Sequence, residues 1–208
     1  MADNSSNSTK VRPGGRTART REAVYAATLA ELVARGYAQT SVEAIAQRAG
    51  VHKTTVYRRW CTKDQLVAEA LAHAATERTE VADTGDIDDD MRTLARAVVA
   101  TLTSRDGLAI VRALVAEAPN SPELGEVLRS FWTSRWAHVG PIITAAIERG
   151  QLPPATSPSE LMKFIAAPLY YQLLMTDEPL SDQSADRAAA AALAAARAGV
   201  LGAQFMGP

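Results

Sequence analysis

Between His52 and Lys63 the chain sets out side chains suited to a polyanion: His52, Lys53, Thr54 and Thr55 in a row, then Tyr57, Arg58 and, past Trp60, Lys63. Lysine donates to guanine O6 and N7, and a threonine methyl packs on a thymine methyl, so residues 52–55 are candidates for base edges in a major groove. Tyr57 offers a hydroxyl, and Arg58 a guanidinium, to phosphate oxygens. Lys63 stands at the expected start of a helix, where its charge and the unpaired backbone N–H groups suit a phosphate clamp. Thr40 and Ser41, opening an earlier helix, are placed to do the same across the groove. Arg12, Arg16 and Arg19 suit an arm over the backbone or minor groove.

These side chains need a scaffold, and residues 40–66 (TSVEAIAQRAGVHKTTVYRRWCTKDQL) supply one. The segment reads as two short helices around an Ala-Gly-Val turn, followed by the capped start of a third. Ala46 is the small residue that lets the second helix come close, Gly50 permits the positive φ of the turn, and Val56 and Trp60 face inward. Thr40 with Glu43 and Thr62 with Gln65 read as capping boxes. Such a helix-turn-helix places the exposed face of its second helix in a DNA major groove. In the plainer reading, Arg59 is a solvated charge and His52 a surface residue beside the turn.

The rest of the chain reads as helical. Residues 1–15 are polar and expected to be disordered. A helix follows from Arg16 to Arg35, closed by Gly36. Residues 16–62 thus form a DNA-binding domain, and residues 63–208 a second domain joined to it by a helix over 63–82. The aspartates of 83–90 lack the ligand spacing of a calcium loop and are expected to favour the start of a helix near Met91. Further helices are expected over 91–104, 107–118, Ser121-Pro122 to Arg149, 158–175 (opened by a Ser157–Glu160 capping box) and 184–205. No strand-like alternation occurs, so the fold class is all-α with about nine helices.

Charge is segregated along the 208 residues. Residues 1–63 hold eleven Lys/Arg against four acids, a net of +7, whereas the remainder nets −8. One end is therefore suited to a polyanion and the other is not. No run of 18 apolar residues suggests a membrane span, and the polar N-terminus lacks a secretory h-region. The single cysteine, Cys61, fits a reducing cytoplasm. His52, His73 and His138 are far apart, and neither HExxH, CxxC, GxSxG nor a Gly-rich phosphate loop is present. No metal or cofactor is expected, and an all-α enzyme would leave the helix-turn-helix and the basic end as coincidences. A purely architectural DNA binder would leave the acidic domain without a task.

The stretch Arg21–Leu71, with Gly36-Tyr37, SVEAIAQRAGV, TTVYRRW and TKDQLVAEAL, resembles the DNA-binding domain of TetR/AcrR-family regulators. The spacing of Tyr57, Trp60 and Lys63 is its most specific part. ITAAIERGQLPP and FIAAPLYYQLLMTDEPL resemble the effector-binding domain of one branch of that family. The resemblance implies a regulator, usually a repressor, that dimerises through its last two helices and leaves its DNA when a small molecule enters its core. The residues are consistent with that plan. Ala188, Ala189, Ala192, Ala196, Gly199 and Ala203 form a small-residue surface with Leu193 and Val200 as knobs; Leu193, Ala196 and Val200 are the expected homodimer contacts. Trp132 and Trp136 head an apolar stripe beside Phe131, Arg135 and His138, while Pro141 and Pro168 are expected to kink their helices and open space. With Phe164 and Tyr171 as further walls, and His138, Arg135 and Tyr171 as polar tips, the expected effector is small and hydrophobic or aromatic. The alternative for such a stripe is plain core.

Overall fold

The computed structural model describes residues 14–78 and 83–202, with side chains from Thr17 to Ala75 in the first segment. Helix α1 (Gly14–Gln39) is broken at Gly36, whose φ of 73° and ψ of 176° suit only glycine at low cost. The break returns the chain to α2 (Val42–Ala49), and here the expected cap shifts by one residue. Thr40 is buried and its hydroxyl donates to the Gly36 carbonyl at 2.7 Å; Ser41 instead accepts the Ala44 N–H at 3.2 Å. Glu43 completes no capping box, since its carboxylate accepts the Tyr57 hydroxyl at 3.3 Å. Gly50, at φ 65°, ends α2, and the Val51 N–H bonds to the Ala46 carbonyl at 3.0 Å. Helices α3 (Lys53–Arg59) and α4 (Lys63–Arg78) follow. Thr62 accepts the Gln65 N–H at 3.1 Å, while the Gln65 side chain reaches Cys61 N–H at 3.2 Å, one residue before the expected partner.

Helix α5 (Ile87–Thr103) starts four residues earlier than expected, because Asp86 accepts the Asp88 N–H at 2.9 Å and three aspartates fill the first turn. Two of the linker acids also form ion pairs, Asp83 with Arg149 and Asp88 with Arg197. Then come α6 (Arg105–Glu117), a 3-10 turn, α7 (Pro122–Glu148) and α8 (Pro158–Leu174), the last two capped by Ser121 and Ser157. At α8, Glu160 pairs with Lys163 at 2.6 Å, and no box closes back to Ser157. Helix α9 (Asp182–Arg197) stops well short of Phe205. Gly199 turns the chain at φ 77°, and the Ser157 N–H donates to the Leu201 carbonyl at 2.8 Å, tying the segment after α9 to the start of α8. Ala203 and Phe205 lie outside the described residues, as do residues 1–13 and 79–82. Among the described residues there are nine α-helices and no strand.

Three apolar clusters hold these helices. The head core joins Val24 and Tyr25 of α1 to Val42 and Ile45 of α2, Val56 and Trp60 around α3, and Leu66 and Ala70 of α4. The body core is formed by α5, α7, α8 and α9. A third cluster lies between them, with Leu32 and Tyr37 of α1, Val67 and Leu71 of α4, Ile110 and Leu114 of α6, and Leu124 and Val127 of α7. Helices α1 and α4 therefore belong to the head and to its junction with the body. One expectation is corrected here. Ala188, Ala189, Ala192, Leu193 and Ala196 are buried in their own subunit against α5 and α8, with Leu193 and Ala196 only 1% exposed. Small side chains let α9 approach its neighbours closely, and that approach is used up within the chain, leaving Val200 as the exposed member of the expected trio.

Candidate DNA-binding surface and internal cavity

Helix α3 carries the exposed face that the spacing predicts. His52, Lys53, Thr54, Tyr57 and Arg58 are exposed and Thr55 is half-buried, while Val56 and Trp60 point into the head core. Lys53 and Arg58 have no ion-pair partner among the described residues, so their charges are open to a polyanion. His52 occupies the N-cap position without capping the backbone; its Nδ1 lies 3.0 Å from the Thr54 hydroxyl. Lys63 is half-buried and held in place: its Nζ donates to the Tyr37 carbonyl at 3.2 Å and sits 4.1 Å from the centre of that ring. Tyr37 in turn donates to Asp64. Ser41 is half-buried at the start of α2, whereas buried Thr40 is not presented to a groove. Arg19 is exposed on α1; Arg12 and the side chain of Arg16 lie outside the described residues. Cys61 is an exposed thiol in the loop between α3 and α4.

The C-terminal end of α3 is bonded to α4. Glu69 accepts the Trp60 indole N–H at 2.8 Å and the Tyr25 hydroxyl at 3.0 Å on one oxygen, and the Gln65 amide at 3.0 Å on the other. Burial and the Glu69 carboxylate push the Tyr25 phenol up to about 12. One turn further on, His73 Nε2 lies 2.6 Å from Glu22 of α1.

Behind the head lies an apolar cavity of about 270 Å³. Its walls come from Leu29 of α1, Leu71, Ala74 and Ala75 of α4, Ile110, Val111 and Leu114 of α6, Phe131 and Trp132 of α7, and Tyr170 of α8. Gly107 makes the α5–α6 corner possible, since a Cβ there would lie 2.0 Å from the Thr101 carbonyl oxygen. Trp132 packs edge-on against both Phe131 and Tyr170, with ring centres 5.0 and 6.0 Å apart. A smaller cavity of about 60 Å³ adjoins it and shares Ala75, Thr101, Phe131, Trp132 and Tyr170 as walls. Arg135 borders this smaller space.

Residues 24–70 match the family model of bacterial regulatory proteins of the tetR family, and residues 81–192 match the tetracyclin repressor-like C-terminal domain. The chain belongs to the TetR family. The HTH-type transcriptional regulator AqdR of Rhodococcus erythropolis is 31% identical over 169 residues, covering 80% of this chain and 81% of that one. The uncharacterized HTH-type transcriptional regulator YdeS of Bacillus subtilis (strain 168) is 29% identical over 164 residues, 78% and 82% of the two chains. The crystal structure of the TetR family transcription regulator SCO0332 superposes with a TM-score of 0.71 at 28% identity, covering 85% of this chain and 97% of that one. This TetR-family chain is thus a non-enzymatic DNA-binding regulator, and no helix among its described residues is long and apolar enough to cross a membrane.

In this TetR-family body the expected pocket residues separate. Phe131 and Trp132 line the larger cavity and Arg135 the smaller. Trp136 packs on the body core beneath Lys163 and borders a separate depression. His138, Phe164 and Tyr171 are exposed and line neither cavity. Pro141 and Pro168 sit in α7 and α8 but border neither cavity, so the space does not come from them. The tyrosine that faces inward is Tyr170, which the spacing of Met162, Ala166 and Tyr170 by four residues identifies as one helical stripe. Leu29 and Gly107 carried no comparable signal, because their place in the wall depends on how α1 and α6 meet.

Proposed function

We propose that this protein is a ligand-responsive transcriptional repressor that binds a palindromic operator as a homodimer in the cytoplasm and is released by a small, largely apolar effector. One observation carries the reading: the walls of the cavity include Leu29 of α1 and Leu71, Ala74 and Ala75 of α4, the two helices that also build the head core. A ligand that fits the cavity in one arrangement of α1 and α4 better than in another biases the position of α3, and only that difference in affinity shifts the equilibrium. His52, Lys53, Thr54 and Thr55 read base edges. Tyr57, Arg58, Lys63, Ser41 and the basic arm with Arg12, Arg16 and Arg19 hold phosphates. A repressor-like C-terminal domain favours repression over activation.

Dimerisation through α8 and α9 is supported by apolar side chains left open on that side, Phe164, Tyr171 and Met175 of α8 and Val200 beyond α9. Two heads about 34–36 Å apart would then match half-sites one helical turn apart. Selection of bound duplexes from a random pool tests the proposal: a palindrome is expected, with an affinity that falls steeply with salt. Recovery of non-palindromic or unselected DNA would overturn it.

A further inference from the structure

Arg135 is a charged side chain in an apolar setting, 7% exposed on the inward side of α7. Its guanidinium has five N–H donors, and the hydrogen bond it makes is a long one, 3.4 Å from one terminal nitrogen to the Ala75 carbonyl. No carboxylate pairs with it among the described residues. Val98, Leu102, Phe131, Trp132, Met162 and Ile165 surround the small cavity it borders, and Tyr170 is the ionisable neighbour there. Burial weakens the proton affinity of Arg135 and pushes the Tyr170 phenol up to about 12, so the neutral phenol offers hydrogen bonding and no counter-charge. Removing a guanidinium from water without a partner is unfavourable. Such a group gains most from a planar anion that accepts two parallel hydrogen bonds.

Resting on the ligand-responsive reading above, we infer that the effector is an amphipathic carboxylate, its carboxylate held by Arg135 in the smaller cavity and its apolar body in the larger one. The size agrees: a cavity of roughly 150 Å³ admits a benzene ring, and about 270 Å³ here leaves room for a two-ring or medium-chain body. The aromatic walls Phe131 and Trp132 face that body, while Tyr170 borders both spaces and stands where head and body of the ligand meet.

The test is calorimetric titration of the full chain with 2-naphthoate and its neutral counterpart 2-naphthamide, and with octanoate and octanamide. Each acid that fits is expected to bind at least about tenfold more tightly than its amide, a difference of about 1.4 kcal/mol. In Arg135→Met the preference for the acid is expected to vanish while amide affinity stays within about twofold; Arg135→Lys is expected to retain part of it. The ligand-free Arg135→Met protein is also expected to melt higher than the parent, because a buried charge with no carboxylate partner among the described residues has been replaced by an apolar side chain of similar length. Equal affinity for acid and amide in the parent protein, or an acid preference that survives Arg135→Met, would overturn the carboxylate site and leave the apolar effector pocket standing. If none of the four probes binds to protein that still selects an operator, the carboxylate site and the pocket fall together.

Discussion

Glu69 accepts hydrogen bonds from side chains 44, 9 and 4 residues away, and through them one carboxylate fixes α1, the end of α3 and the start of α4 against each other. Its Tyr25 partner gives this contact a pH signature. The Tyr25 phenol is raised to about 12 in the fold, against about 10 in an unfolded chain. The unfolded state therefore loses its proton first, and stability falls as pH rises from 10 to 12. Urea titrations across that window are expected to show the fall, and Tyr25→Phe is expected to make it shallower; an unchanged slope would place the phenol outside the linkage. On the proposed DNA-binding side, Lys53 and Lys63 differ in their surroundings, the first exposed and without an ion-pair partner among the described residues, the second held on Tyr37. Lys53→Ala is expected to alter base preference at one position, at about 1–3 kcal/mol, whereas Lys63→Ala weakens binding to all sequences alike. Binding assays on variant operators separate the two, and the reverse pattern would exchange the roles.

Helix starts show how far one residue of register matters. Thr40 and Ser41 both carry side chains that cap helices, and the spacing of three to Glu43 points to Thr40. The positive φ at Gly36 decides otherwise: it leaves that carbonyl facing the Thr40 hydroxyl, and Ser41 takes the cap. Ser41→Ala is expected to lower stability by about 1 kcal/mol and Glu43→Ala to change it little, both by urea denaturation. Gly107→Ala is expected to lower stability by about 1–3 kcal/mol, because the clash is with backbone and the α5–α6 corner must open. The helices themselves were legible from periodicity, glycine stops and serine caps at 121 and 157. Less legible were features that arise where distant helices meet. The alanine face of α9 is compatible equally with a partner subunit and with α5 and α8, and only the packing distinguishes them. Tyr170 and Tyr171 are neighbours in sequence but about 100° apart on α8, which separates a cavity wall from an open surface.

For the whole molecule, the net charge of +7 over residues 1–63 and −8 over the remainder would orient the proposed complex with DNA, while α1 and α4 are shared by the head and junction cores. Association of two chains belongs to this scale as well. Phe164→Glu combined with Tyr171→Glu is expected to give monomers in sedimentation equilibrium and to reduce affinity for a palindrome towards that for a half-site. A dimer that persists would place the contact elsewhere. Cys61 adds a practical consequence. It is the sole cysteine of the chain, it is exposed, and it lies in the loop directly after α3. A spin label attached there would mark each head once, without mutation, so pulsed dipolar spectroscopy on the paired molecule would report the head-to-head distance itself, on and off DNA and across a ligand titration.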